Sequence, residues 1–172
     1  MTARAERKAS RRPRAKVAAR RSAARLAAVQ ALYQIELSGA APDSVIAQFT
    51  EPGSRGGLAE ARLIEPDPAF FADLVRGVAA GRAELDRLIA ASLTADWELD
   101  RLEIILRLIL EAGVYEIKER PDVPPRVAIT EYVDMAHAFF DGATPGFVNG
   151  ILDRLARSFR PHEMPAKGDA EA

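Results

Sequence analysis

Apolar residues recur along this chain at intervals of three and four, and nowhere alternate with polar ones over a useful length, which predicts helices and no strand. A helical pattern begins at Arg20 and carries Leu26, Val29, Leu32, Tyr33 and Leu37 on one broad face, with Ser38-Gly39 as its stop. A short helix is expected at Ser44–Phe49, after Pro42-Asp43. Residues 50–67 hold Pro52, Gly53, Gly56, Gly57 and Pro66 and predict a flexible, exposed loop. Asp67-Pro68 is a good helix start, a capping carboxylate followed by a first-turn proline. Phe71, Leu74, Val75, Val78, Leu85, Leu88 and Ile89 then keep helical phase until Thr94-Ala95-Asp96-Trp97 breaks it.

From about Glu98 to Lys118 the apolar positions run nearly all round: Leu99, Leu102, Ile104, Ile105, Leu106, Leu108, Ile109, Leu110, Val114 and Ile117. That marks the central, most buried helix. Gly113 inside it costs about 1 kcal/mol relative to alanine, so a close helix crossing is expected there. Pro121, Pro124 and Pro125 end the helix and form a rigid connector. Val127, Ile129, Val133, Ala136 and Phe140 pace a further helix. Thr144-Pro145 starts the last, which carries Phe147, Val148, Ile151, Leu152, Leu155 and Phe159. The pattern predicts an all-α, single-domain bundle of about six or seven helices spanning residues 18–160. Residues 1–17 lack hydrophobic periodicity and are expected to be a disordered basic arm without a partner, and 161–172 a polar C-terminal tail.

Charge sharpens the picture of the arm. The net charge of the 172 residues is −1, yet residues 1–25 hold ten basic side chains and one acid, while the rest holds 14 basic and 24 acidic ones. A basic arm on an acidic body points to a polyanion as partner. A solvated tail that aids solubility and an organelle transit peptide are the competing readings. Against the last, Arg20, Arg21 and Arg25 stand on the first turns of a core helix, which a cleavable leader would not share.

Other chemistry is thinly represented. Cysteine is absent, excluding disulfides, thiolate metal sites and a cysteine nucleophile. Asp134 and His137 lie three apart on one helix face, but the chain has two histidines, too few to complete a di-metal carboxylate framework. No glycine pair follows a strand, so no phosphate-cradling loop or cofactor motif is supported. No catalytic residue, metal or cofactor is expected, and no apolar run is long enough to span a membrane. The reading is of a soluble, cytoplasmic binding protein rather than an enzyme.

Three segments, in order, carry a family resemblance. They are Arg20-Arg21-Ser22-Ala23-Ala24-Arg25 leading into Val29-Gln30-Ala31-Leu32-Tyr33; Tyr115-Glu116-Ile117 with Arg120-Pro121-Asp122-Val123-Pro124 and Val127-Ala128-Ile129-Thr130-Glu131; and Phe147-Val148-Asn149-Gly150-Ile151-Leu152-Asp153. Together they resemble the NusB family over roughly residues 18–160. The resemblance implies an all-helical transcription antitermination factor that binds boxA-type single-stranded RNA together with NusE, a small-subunit ribosomal protein. The resemblance further implies action within an RNA polymerase antitermination complex, in support of ribosomal RNA operon transcription. Two other readings stay open: an RNA-recruiting domain of the kind joined to ribosomal RNA methyltransferases, and a helical protein-interaction adaptor.

Carried over residue by residue, the family's arginine-rich motif falls on Arg20, Arg21 and Arg25, with Ser22 and Ala23 where relatives can carry arginine. Arg14 and Lys16 add cations upstream, expected to attract RNA diffusely rather than in register. Such a row can neutralise phosphates and stack on splayed bases. Tyr33 has two readings, core packing with its hydroxyl at the rim or base stacking. Asn149 also has two, a bond to neighbouring backbone or RNA contact, and Gly150 is expected to allow close packing. Relatives often carry a basic residue just before Phe147, where this chain has Pro145-Gly146.

Overall fold

The structure, a computed structural model, describes residues 3–51 and 64–166. The core of the loop expected over residues 50–67 and the end of the polar tail lie outside the described residues. Six α-helices occur among those described: α1 (Ala3–Ser38), α2 (Pro42–Thr50), α3 (Pro68–Ser92), α4 (Ile104–Glu119), α5 (Pro125–Phe139) and α6 (Thr144–Phe159). Short 3-10 turns stand at Leu99–Arg101 and Pro161–Glu163. The described residues contain no strand. The chain forms two compact units, Met1–Arg76 and Gly77–Ala172.

In the first unit, α1 buries Ala24, Ala27, Ala28, Val29, Ala31 and Leu32, a face of mostly small side chains that lets neighbouring helices come close. Val45 and Ile46 of α2 and Phe70, Phe71, Leu74 and Val75 of α3 complete this core. The helix stops where the sequence signals it: Gly39 takes a φ of 68°, open to glycine at no steric cost, and its N–H returns to the Ile35 carbonyl at 2.9 Å. Asp67 caps α3 as expected, its carboxylate accepting the Phe70 N–H at 3.1 Å. Two positions depart from the predicted face of α1. Tyr33 is 37% and Leu37 62% exposed, so the buried stripe ends a turn earlier than the periodicity indicates.

The second unit centres on α4. Leu108, Ile109, Leu110, Ala112, Val114 and Ile117 are fully buried, as the all-round apolar pattern predicts. The continuous helix expected from Glu98 is divided, with a 3-10 turn at Leu99–Arg101 before α4 starts at Ile104, which is itself exposed. Gly113 marks the expected close crossing: a Cβ there would stand 2.9 Å from Leu152 Cδ1 on α6 and 3.3 Å from Tyr132 on α5. The connector after α4 is held by a side chain the sequence did not single out. Arg160 donates from Nη1 to the carbonyls of Val123 (2.8 Å), Arg120 and Ile117, and from Nη2 to Pro121 and the Glu163 carboxylate. Carbonyls at the end of α4 and in the connector are thereby given a donor.

Candidate nucleic-acid interface

The helix that carries the motif arginines does not begin at them. α1 continues back to Ala3, through the segment expected to lack order, with Pro13 inside it. Alanine, arginine and lysine dominate that stretch and are the strongest helix formers, so local propensity supplies what an apolar face does not. Arg12, Arg14 and Lys16 are exposed on this extension. They precede Ala24, the first buried residue among the described side chains.

Where α1 meets the body, the three motif arginines separate into different roles. Arg20 is half-buried; its carbonyl accepts the Asp67 N–H at 3.1 Å, and its Nε approaches the Glu65 carbonyl at 3.4 Å. The strand of chain leading into α3 is thus tied to α1 at this turn. Arg21 and Arg25 both turn towards α3. Their guanidinium carbons lie 4.8 Å and 5.1 Å from the centroid of the Phe70 ring, within cation–π range. Arg21 keeps partial exposure, whereas Arg25 is 2% exposed. Placing Arg25 beside Arg20 and Arg21 as an equivalent outward phosphate contact is therefore corrected: it lies inside the core, on the same face as Ala28 and Leu32.

Phe70 is the residue the sequence reading missed here. Its place directly after the Asp67 cap was visible, but which side chains would cover its ring was not.

In the second unit, Asn149 and Gly150 lie on α6 as placed, yet both are exposed, and a Cβ at Gly150 would meet nothing within 4 Å. The close packing expected at Gly150 is not found; the α6 residues that pack include Val148, Ile151 and Leu152, on a face turned away from it. Trp97, 47% exposed, packs against Phe147 with ring centroids 4.6 Å apart and the planes tilted by 30°, which anchors the chain before α4 to the start of α6.

The strongest internal electrostatics also belong to this second unit. Glu111 is wholly buried and faces Arg82 and Arg107, with Nε to carboxylate distances of 3.3 Å and 3.1 Å. Arg107 also binds Asp86. Burial, reinforced by the neighbouring Asp86, pushes the Glu111 carboxyl up to about 7, against the pull of Arg82. Burial likewise raises Asp86, but its bonds to Arg107 and Glu111 and both guanidiniums outweigh it and hold that group below its usual range. Glu116 is buried as well and accepts the Tyr132 hydroxyl at 2.8 Å. These groups are enclosed and paired, an arrangement that holds helices together rather than one that receives a substrate. Asp134 and His137 are both exposed on α5. Among the described residues no group of three or more His, Asp or Glu side chains could hold a metal ion. No described helix is long and apolar enough to cross a membrane.

A family model described as the NusB family matches residues 22–157. The chain is 52% identical over 159 residues to the transcription antitermination protein NusB of Rhodospirillum rubrum, covering 83% of this chain and 85% of that one. It is 49% identical over 140 residues to the protein of the same name from Caulobacter vibrioides, with 81% and 94% covered. Among solved structures, NusB of T. maritima superposes with a TM-score of 0.68 at 28% identity, covering 83% of this chain and 94% of that one. A complex of antitermination factors NusB and NusE with double-stranded RNA matches with a TM-score of 0.61 at 27% identity, covering 81% and 98%.

Proposed function

This chain belongs to the NusB family, and from that membership we propose that it is a transcription antitermination factor that binds boxA-type single-stranded RNA jointly with NusE. It acts as part of an RNA polymerase antitermination complex and supports ribosomal RNA operon transcription. The role is that of a cytoplasmic binding protein without catalysis. The observation that carries the RNA assignment is the placement of cations on α1: Arg14 and Lys16 exposed on its projecting part, with Arg20 and Arg21 where it joins the folded body. Phosphates are bound by cations that can be reached without unfolding anything, and these four qualify.

In this reading Arg14, Lys16, Arg20 and Arg21 contact RNA, while Arg25 supports the site from beneath through Phe70. Tyr33 and Asn149, each exposed on its own unit, are open to a ligand; an exposed ring offers a stacking face and an exposed amide both donors and acceptors. Residues 1–17 serve as the basic arm, 18–160 as the RNA-binding body and 161–172 as a polar tail.

The test is binding of boxA and scrambled single-stranded RNA at several salt concentrations, with and without NusE. NusE should tighten RNA binding, and RNA should tighten the protein pair by the same factor, because coupling free energies are reciprocal. Equal affinity for boxA in the presence and absence of NusE would leave the recruiting-domain or adaptor reading in its place.

A further inference from the structure

Arg12, Lys16 and Arg20 are spaced four residues apart along α1, which carries Pro13 between the first two, and Arg12 and Lys16 are exposed. Each four-residue step advances about 6 Å along an α-helix and turns about 40°, so the three cations form a slowly winding stripe. Arg14 and Arg21 lie on the other side, the side that continues towards Phe70.

We propose that Arg12, Lys16 and Arg20 form a phosphate rail, a rigid row that binds successive phosphates of one RNA strand in fixed register. This rests on the RNA-binding reading above and extends it upstream of the motif arginines. A polybasic tail without structure attracts RNA through its total charge, wherever the charges stand. A helix continuous with the core fixes both azimuth and spacing, and its one-turn interval is comparable to the separation of neighbouring phosphates along an extended strand.

The electrostatics of the bare helix favour the same occupant. Like charges four residues apart repel along a helix. That penalty is removed when phosphates line the stripe. RNA binding is therefore coupled to the helicity of this segment, and RNA should raise the temperature at which the segment loses its helix in the full-length protein.

Charge position is separable from charge number. In one variant Arg12→Ala and Lys16→Ala remove two cations of the stripe. In a second, Ala15→Arg and Ala18→Lys are added to these, restoring the charge at exposed positions about 100° and 160° from the stripe's centre. In a third, Ala15→Gly and Ala18→Gly keep every charge and loosen the helix. Binding of single-stranded boxA RNA is measured against salt concentration, with circular dichroism of each full-length variant as control. The rail requires the first variant to lose about 1.4 from the log–log salt slope and to bind about tenfold more weakly. It requires the transposed variant to resemble that one rather than the parent, and the glycine variant to weaken binding with its charge unchanged. A transposed variant that binds like the parent, slope included, overturns the rail while leaving RNA binding in place. A parent that binds no RNA overturns the RNA reading and the rail with it.

Discussion

The guanidinium carbon of Arg25 stands 5.1 Å from the centroid of the Phe70 ring, and both side chains are buried at 2% exposure. A cation in that position is part of the packing of α1 on α3. Its aliphatic stem covers apolar surface and its charged end is desolvated against an aromatic face, where the attraction is strongest. Arg14, three turns earlier, is exposed.

Arg25→Ala should therefore lower stability by about 2 kcal/mol, whereas Arg14→Ala should stay within about 0.5 kcal/mol of the parent. Urea unfolding midpoints distinguish them. A double-mutant cycle with Phe70→Leu should show coupling between positions 25 and 70, and an additive pair would mean the ring and the guanidinium act separately.

Glu111 gives the fold a pH dependence. Its carboxyl ionises near 4.5 when exposed and near 7 when folded, because burial and Asp86 disfavour the charged form. The folded state then holds the proton more tightly, so this contribution is complete below about pH 4.5 and lost as pH rises through 7. At full ionisation the difference is about 3 kcal/mol. Asp86 works in the opposite sense, its depressed carboxyl stabilising the fold above its usual range and losing that effect only under acid conditions. Between pH 5 and 8 the parent should lose stability to this source, and Glu111→Gln should give a flatter profile. Parallel profiles for the two proteins would remove Glu111 as the cause.

Two glycines in helices should respond to alanine in opposite ways. At Gly113 the new methyl would stand 2.9 Å from Leu152 and 3.3 Å from Tyr132, both buried, and overpacking costs about 1–3 kcal/mol. At Gly150 it would meet nothing, and helix propensity should raise stability by about 1 kcal/mol. Melting temperatures should fall for the first and rise for the second; a rise for both would show that α6 yields readily at the crossing.

Tyr132→Phe removes the hydroxyl that donates to Glu116 at 2.8 Å without altering the ring. Glu116 remains buried with one donor fewer, which should cost about 1–3 kcal/mol. The measurement is the urea midpoint at constant pH, and a midpoint equal to the parent's would mean that the remaining partners of Glu116 suffice.

The all-helical class, the Asp67 cap, the Gly39 stop, the burial of Ile109 and the passage of α6 through Asn149-Gly150 were all determined by the sequence alone. Each depends on the phase of a residue along its own helix, or on chemistry within four residues of it. The motif segments likewise sufficed to indicate the family. Helix over residues 3–17 was also written locally, in alanine, arginine and lysine propensity, but apolar periodicity does not reveal it because the stretch carries no apolar stripe.

Only the tertiary structure decided that Arg25 points inward while Arg14 and Lys16 remain in solvent, that Glu111 and Glu116 are enclosed, and that Gly113 stands at a crossing while Gly150 does not. Periodicity assigns a residue an azimuth on its helix, not what covers that azimuth. For an apolar side chain the cover hardly matters, because any apolar neighbour will do. For a charge it decides everything: Phe70 of α3 lies against Arg25 of α1, and Glu111 of α4 faces Arg82 of α3 as well as Arg107 on its own helix.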